Sequence, residues 1–215
     1  VVGQNDVIDK IENSFFYSEK ETNAGNKKKG PRQAYLFAGP SGVGKTFIAE
    51  IIANTLGIPY KRFDMSGYSD KSTVTEILGS STLYKDSKPG VLTNFVRENP
   101  RCVLLFDEIE KACNEAILLF LQILDEGRCY DRYYDRDIDF RNTIVILTTN
   151  AGKQLYQNAE NENLTLLPDS VIIDALKKDK APGSNAPFFP PELVSRLSSH
   201  TTIMFNHLRA DSILK

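Results

Sequence analysis

Several things are scarce in this chain of 215 residues, and each scarcity narrows its function. Only three cysteines occur, Cys102, Cys113 and Cys129, and no two stand at metal-ligand spacing. An odd, unspaced set fits a reduced cytosolic chain with small packed thiols better than a disulfide scaffold or a zinc site. No apolar run approaches membrane-spanning length, and the N-terminal stretch lacks a signal-peptide pattern. The expected compartment is therefore the cytoplasm, with no membrane partner. Charge of one sign is also lacking. Twenty-six basic and 28 acidic residues leave a net −2, so no global basic field points to duplex DNA, and nucleic acid is disfavoured as a partner. There is no internal repeat. Both ends, Val1-Val2-Gly3 and the polar 209–215 stretch, read as positions inside something longer.

What is present is ordinary globular composition, 41% hydrophobic and 25% charged. A chain of this size buries roughly 70% of its unfolded surface, and one large domain is expected. Five short apolar runs, at 34–38, 60–64, 102–107, 143–148 and 201–205, alternate with helix-like segments. That alternation predicts a parallel sheet wrapped by helices on both faces. Val103-Leu104-Leu105-Phe106 and Ile144-Val145-Ile146-Leu147 are apolar at every position, as central strands covered on both sides must be. Between them, residues 114–125 place Ile117, Leu118, Leu121 and Leu124 at helical spacing, with Gly127 as a stop. Residues 23–31, 80–90 and 179–191 read as loops, the last because it holds four prolines.

The segment Gly39-Pro40-Ser41-Gly42-Val43-Gly44-Lys45-Thr46 matches G-x-x-x-x-G-K-[ST]. It follows a strand and opens a helix containing Phe47, Ile48, Ile51 and Ile52, the context the motif needs. Glycines let backbone N–H groups curl round phosphate oxygens, and the helix N-terminus adds its positive end. Lys45 is expected to reach the β- and γ-phosphates of ATP, and the Thr46 hydroxyl to bind Mg²⁺. A chance glycine turn is the bland alternative. Downstream, the strand 103–107 ends in Asp107-Glu108. Ligands gather at the carboxyl ends of parallel strands, so both acids are expected to face the phosphate crevice. Asp107 suits the metal and Glu108 the polarising of an attacking water; alone, such a pair would read as a helix N-cap.

With these pieces the chain resembles the AAA+ module of Clp-type protein unfoldases and disaggregases, particularly their second ATPase module. The likeness runs from Val2-Gly3-Gln4 to Phe205-Asn206-His207-Leu208. It is carried by Phe63-Asp64-Met65-Ser66, by residues 105–112 (LFDEIEKA) and 121–128 (LQILDEGR), and by Asp139-Phe140-Arg141-Asn142-Thr143. The resemblance implies an α/β P-loop fold of AAA+ type with a five-stranded parallel sheet. Residues 1–205 would form the large ATPase domain and 206–215 the start of a small helical lid. Asn150, in Leu147-Thr148-Thr149-Asn150, looks like the sensor that orients the attacking water; capping a helix is the alternative. Arg196 looks like the arginine finger that enters a neighbouring subunit's site, with a plain surface arginine as the rival. A finger supplied in trans implies a head-to-tail ring, six-membered in the family. Val1 and Val2 resemble the segment whose backbone reads adenine.

Tyr84 falls where the family carries the pore tyrosine that grips polypeptide substrate. Here Leu83, Lys85 and Asp86 replace flanking glycines, which leaves a merely packed tyrosine open. Residues 130–136 read as a second pore-facing loop. Protease-coupled relatives carry an Ile/Leu-Gly-Phe/Leu docking tripeptide between positions 152 and 187; this chain has Leu164-Thr165-Leu166-Leu167-Pro168. Docking to a Clp-type peptidase is therefore not expected. The leading reading is a ring ATPase that unfolds or threads polypeptides. A nucleotide-gated scaffold with little turnover and a nucleic-acid motor are the alternatives.

Overall fold

A computed structural model describes residues 4–23, 29–83, 85–157, 163–180 and 187–207. In chain order the elements are α1 (Asn5–Asn23), β1 (Gln33–Ala38), α2 (Lys45–Leu56), β2 (Tyr60–Asp64), α3 (Lys71–Leu78), α4 (Val91–Glu98) and β3 (Val103–Asp107). They continue with α5 (Asn114–Glu126), β4 (Arg128–Asp131), β5 (Arg136–Asp139), β6 (Ile144–Thr149), α6 (Lys153–Tyr156), α7 (Asp169–Lys178), α8 (Pro191–Leu197) and β7 (Thr201–Met204). The five apolar runs form one parallel sheet in the order β2-β3-β6-β1-β7. Each strand begins or ends within one residue of its expected boundary.

The sheet sorts its side chains by the two-residue period of a strand. Leu104 and Phe106 of β3 face α3, α4, α5, α7 and α8, joined by Leu36, Val145 and Leu147. Val103 and Leu105 face the opposite layer, where Tyr35, Phe37 and Ile146 meet Val7 and Ile11 of α1 and Ile48 and Ile52 of α2. Phe106 anchors the larger layer through Phe63 at 5.3 Å and Phe120 at 4.7 Å between ring centres. Every residue of β1, β3 and β6 is buried, which is why these runs carry no polar alternation.

Some expectations need correction. Leu118 is exposed; α5 buries Ala116, Ile117, Leu119, Phe120, Ile123 and Leu124 instead, a stripe set by helical period and not by apolarity alone. Phe47 is likewise exposed at the start of α2. Residues 130–136 are not simply a loop. Strands β4 and β5 pair antiparallel and enclose a turn over 132–135. Fully buried Asp131 holds that turn by accepting the N–H groups of Tyr133 and Tyr134 at 2.8 Å and the Thr93 hydroxyl. Gly127 caps α5 at φ 61°, as its position after the periodic run implies. After β7 the chain continues through Asn206 and His207. Of residues 206–215, read as the start of a lid, 208–215 lie outside the described residues, as do Val1, Val2 and Tyr84.

Candidate active site

The carboxyl ends of β1, β3 and β6 meet at one crevice. Strand β1 delivers residues 39–44, a loop that can turn so tightly because Gly39, Gly42 and Gly44 adopt φ of 140°, 78° and 97°. Val43 drops its side chain into the core beneath, so the loop offers its backbone outward at that position. Lys45 opens α2 and is buried. Its ammonium donates to the carbonyls of Gly39 and Pro40, each at 2.7 Å, and to Asn150 Oδ1 at 2.9 Å. Burial pushes the Lys45 ammonium down to about 8, opposed by Glu110, Asp107 and Glu108.

Opposite, β3 delivers the two acids. Asp107 is buried; its Oδ2 accepts from the Thr46 hydroxyl at 3.2 Å and pairs with Arg62 Nη2 at 2.6 Å, while Oδ1 accepts the Thr148 hydroxyl. Glu108 sits in the left-handed region at φ 57°, ψ 53°, a sparsely used conformation for a residue with a side chain. Its N–H donates to Thr148 Oγ1 at 3.0 Å. Its carboxylate accepts from Asn150 Nδ2 at 3.1 Å and from Lys111 Nζ at 2.5 Å. Asn150, just past β6, thus touches both Lys45 and Glu108, and its backbone N–H donates to Glu110 Oε1 at 3.1 Å.

Ser41, Gly42, Gly44, Lys45, Thr46, Phe47, Asp107, Glu108 and Asn150 line a cleft of about 290 Å³. Pro40 borders it through its carbonyl on Lys45. Five residues named from sequence, Lys45, Thr46, Asp107, Glu108 and Asn150, therefore converge with their polar groups in contact or within one intervening side chain. Arg196 does not line this cleft. It lies on α8, half exposed, with its Nε on Asp125 Oδ2 at 2.8 Å. Sequence reasoning missed Thr148, Arg62, Lys111 and Glu110. Thr148 had a usable signal, since it closes an expected central strand and stands two residues before Asn150. Lys111 stands three residues after Glu108 and pairs with it locally, whereas Arg62 and Glu110 touch the site only through the fold.

Thr46 and Asp107 present hard oxygen donors side by side, the type of ligand a magnesium ion prefers. Among the described residues no group of three or more His, Cys, Asp or Glu could by itself hold a metal ion. A divalent ion here would complete its shell from phosphate oxygens and water, as is usual for magnesium at nucleotide sites.

The family model of the AAA domain (Cdc48 subfamily) matches residues 31–200. Heat shock protein 104 of Schizosaccharomyces pombe is 34% identical over 213 residues, covering 97% of this chain and 22% of that protein. Chaperone protein ClpB of Staphylococcus aureus (strain COL) is 36% identical over 219 residues, covering 99% of this chain and 24% of that protein. A closed-state cryoEM reconstruction of Hsp104 with ATPγS and FITC casein superposes with a TM-score of 0.80 at 31% identity, covering 99% of this chain and 35% of that one. The chain therefore spans about a quarter of the curated relatives it matches. On the matched profile, the two-layered parallel sheet and these relatives, the chain belongs to the AAA domain family (Cdc48 subfamily), as a Clp-type AAA+ ATPase module.

Proposed function

We propose that this chain is the ATP-hydrolysing engine of a ring motor that unfolds or threads other proteins. One observation carries the chemical half of the reading: Asn150 bridges Lys45 and Glu108 at the mouth of the phosphate loop, at 2.9 and 3.1 Å. A lysine for the β- and γ-phosphates, an acid for the attacking water and an amide to orient that water then share one cleft. The backbone of residues 40–44 cradles the phosphates and the N-terminus of α2 adds its positive field. Thr46 and Asp107 hold Mg²⁺, which when bound neutralises charge on the phosphate oxygens. Val1 and Val2 supply backbone contacts to adenine.

The relatives' names support the protein-remodelling half. One is named a heat shock protein and the other a chaperone, and the superposed Hsp104 reconstruction contains FITC casein. Arg196 acts in a neighbouring copy's cleft, which requires a head-to-tail ring, six-membered by analogy with the family. Tyr84 grips the polypeptide. The absent docking tripeptide favours a remodeller working without a Clp-type peptidase, in the cytoplasm. No helix among the described residues is long and apolar enough to cross a membrane.

The test uses the full-length protein. ATP turnover and the unfolding of a tagged substrate are measured for the wild type and for Glu108→Gln. The reading expects both activities in the wild type and neither in the variant. Turnover without any action on protein substrates would leave an ATPase but overturn the remodelling function.

A further inference from the structure

Asn150 is held from four directions. Its side chain meets Lys45 and Glu108 and its N–H meets Glu110, as above; its carbonyl accepts the Tyr156 hydroxyl at 2.7 Å. Tyr156 ends the short helix α6 and is buried. Burial, then Asp179 and Glu110, raise its phenol, so it remains a donor throughout the neutral range. The Tyr156 carbonyl accepts from His207 Nε2 at 2.8 Å, and the two rings meet edge-on with centres 5.9 Å apart. His207 is exposed and follows the last strand of the sheet.

The adjoining residue is tied as firmly. Asn206 accepts the Leu164 N–H at 2.7 Å and donates to Asn163 Oδ1 at 2.9 Å and Thr165 Oγ1 at 3.2 Å. Its carbonyl accepts from Gln4 Nε2 at 3.0 Å, and that same nitrogen lies 3.5 Å from the Val43 carbonyl of the phosphate loop. Residues 206–207 are thus linked to the phosphate loop through Gln4 and to Asn150 through Tyr156.

We infer that Tyr156 is a positioning residue for hydrolysis: its hydroxyl sets the Asn150 backbone so that the amide meets Glu108, and its carbonyl and ring tie that setting to His207. This rests on the reading of Glu108 and Asn150 given above. A single phenol bonded to one carbonyl fixes the peptide that carries the amide, because rotation of that peptide would break the hydrogen bond while leaving Asn150 near the cleft. Loss of the hydroxyl loosens the amide, not the phosphate grip, which stays with Lys45 and the loop. The effect therefore falls on turnover and not on ATP affinity.

Tyr156→Phe keeps the ring and removes only the hydroxyl. In full-length protein at saturating ATP, kcat is expected to fall three- to tenfold, with KM for ATP within twofold and Tm nearly unchanged. In an Asn150→Ala background the same substitution should cost nothing more, since the amide it positions is gone. Unchanged kcat in Tyr156→Phe, or an equal loss in both backgrounds, overturns the positioning role. His207→Ala should lower kcat at least twofold with KM unchanged; unaltered turnover there overturns the tie of that setting to His207. Glu108→Gln run alongside separates the two levels. Wild-type turnover in that variant sinks the site assignment itself, whereas a dead Glu108→Gln with a fully active Tyr156→Phe sinks only this inference.

Discussion

Asn150 donates its amide to Glu108 Oε1 at 3.1 Å across 42 residues of sequence, tying the end of β6 to the acid that follows β3. Glu108 also stands at φ 57°, a conformation that places its carboxylate toward the cleft instead of continuing the strand. Its position is thus set by its own backbone, by Thr148 and by Asn150. Replacing the carboxylate with an amide of equal size leaves that geometry and removes the base. Glu108→Gln should bind ATP with ordinary affinity, by titration with a fluorescent analogue, and lose at least about 10²-fold in turnover. Near-normal hydrolysis would remove Glu108 from the mechanism.

Thr148 serves both acids, donating to Asp107 and accepting the Glu108 N–H. It is fully buried. Thr148→Val keeps the shape but leaves the Glu108 N–H and an Asp107 oxygen each short of a partner, so it should cost about 1–3 kcal/mol of stability. Turnover should drop with it. A denaturant melt with an unchanged midpoint would mean that water replaces the hydroxyl without loss.

The pH dependence of binding follows from Lys45. Burial brings its ammonium from 10.5 to about 8, so the charge that meets a phosphate is lost as pH rises through that value. Between about pH 7 and 9, ATP affinity should weaken, approaching tenfold per unit above the transition. Stability moves the other way. In the unfolded chain the lysine still titrates at 10.5, so from about 8 to 10.5 its own contribution to folding of the nucleotide-free chain grows as pH rises, while the buried thiols of Cys102 and Cys129, pushed up from 9.0 to about 12, oppose it above about pH 9. Weaker binding should therefore appear without a falling Tm up to about pH 9. Calorimetric titration beside a thermal melt separates the two, and flat affinity across this range would mean the ammonium charge does not hold the phosphate.

The parts of this molecule written most plainly in sequence are those whose burial leaves one chemical choice. Strands β1, β3 and β6 are covered on both faces, so unbroken apolar runs mark them. The phosphate loop is legible because its glycines and its lysine are fixed at set spacing. The β4–β5 hairpin escaped because it is short and charged, with Arg128 and Arg136 outside and Cys129, Asp131 and Ile138 inside. An inward aspartate hides the alternation that would mark the strand. Arg62, Glu110 and Tyr156 escaped for another reason. Their roles arise from contacts across 40 or more residues, Arg62 to Asp107 and Asn150 to Glu110, or from a short helix such as α6. No local spacing encodes such contacts.

Arg196 bonds Asp125 within its own chain at 2.8 Å, with both side chains partly exposed. Such a surface pair contributes only about 0–1 kcal/mol, so it is readily given up for a phosphate in a neighbouring cleft. Arg196→Ala should therefore leave Tm unchanged while lowering turnover of the assembled protein by roughly 10³-fold or more. Mixing Arg196→Ala subunits with Glu108→Gln subunits should restore part of the activity, at junctions where an intact Glu108 meets an intact Arg196. No recovery on mixing, with mixed assembly shown by mass spectrometry, would place the arginine outside the catalytic contact.

Tyr84 lies outside the described residues, and the neck of the loop that carries it is set by the residues on either side. Ser80 N–H donates to the Lys88 carbonyl at 3.0 Å and Lys88 N–H to Ser80 Oγ at 2.9 Å. Gly79 and Gly90 approach so closely that a Cβ on Gly90 would stand 2.3 Å from the Ile77 carbonyl and 2.6 Å from the Gly79 nitrogen. The neck is therefore closed by backbone, and Leu83 beyond it is 92% exposed. An apolar residue held out in water by a pinned loop is suited to gripping an extended chain without reading its sequence. Tyr84→Ala in the full-length protein should spare ATP turnover within about twofold yet abolish unfolding of a tagged substrate, because the phosphate cleft is built from other residues. Leu83→Ala should weaken unfolding less, since it removes a smaller contact. Gly90→Ala should instead lower stability, as the neck must open to admit the methyl group. Unchanged unfolding by Tyr84→Ala, in protein that still hydrolyses ATP, would show that the aromatic only packs and that some other surface holds the substrate.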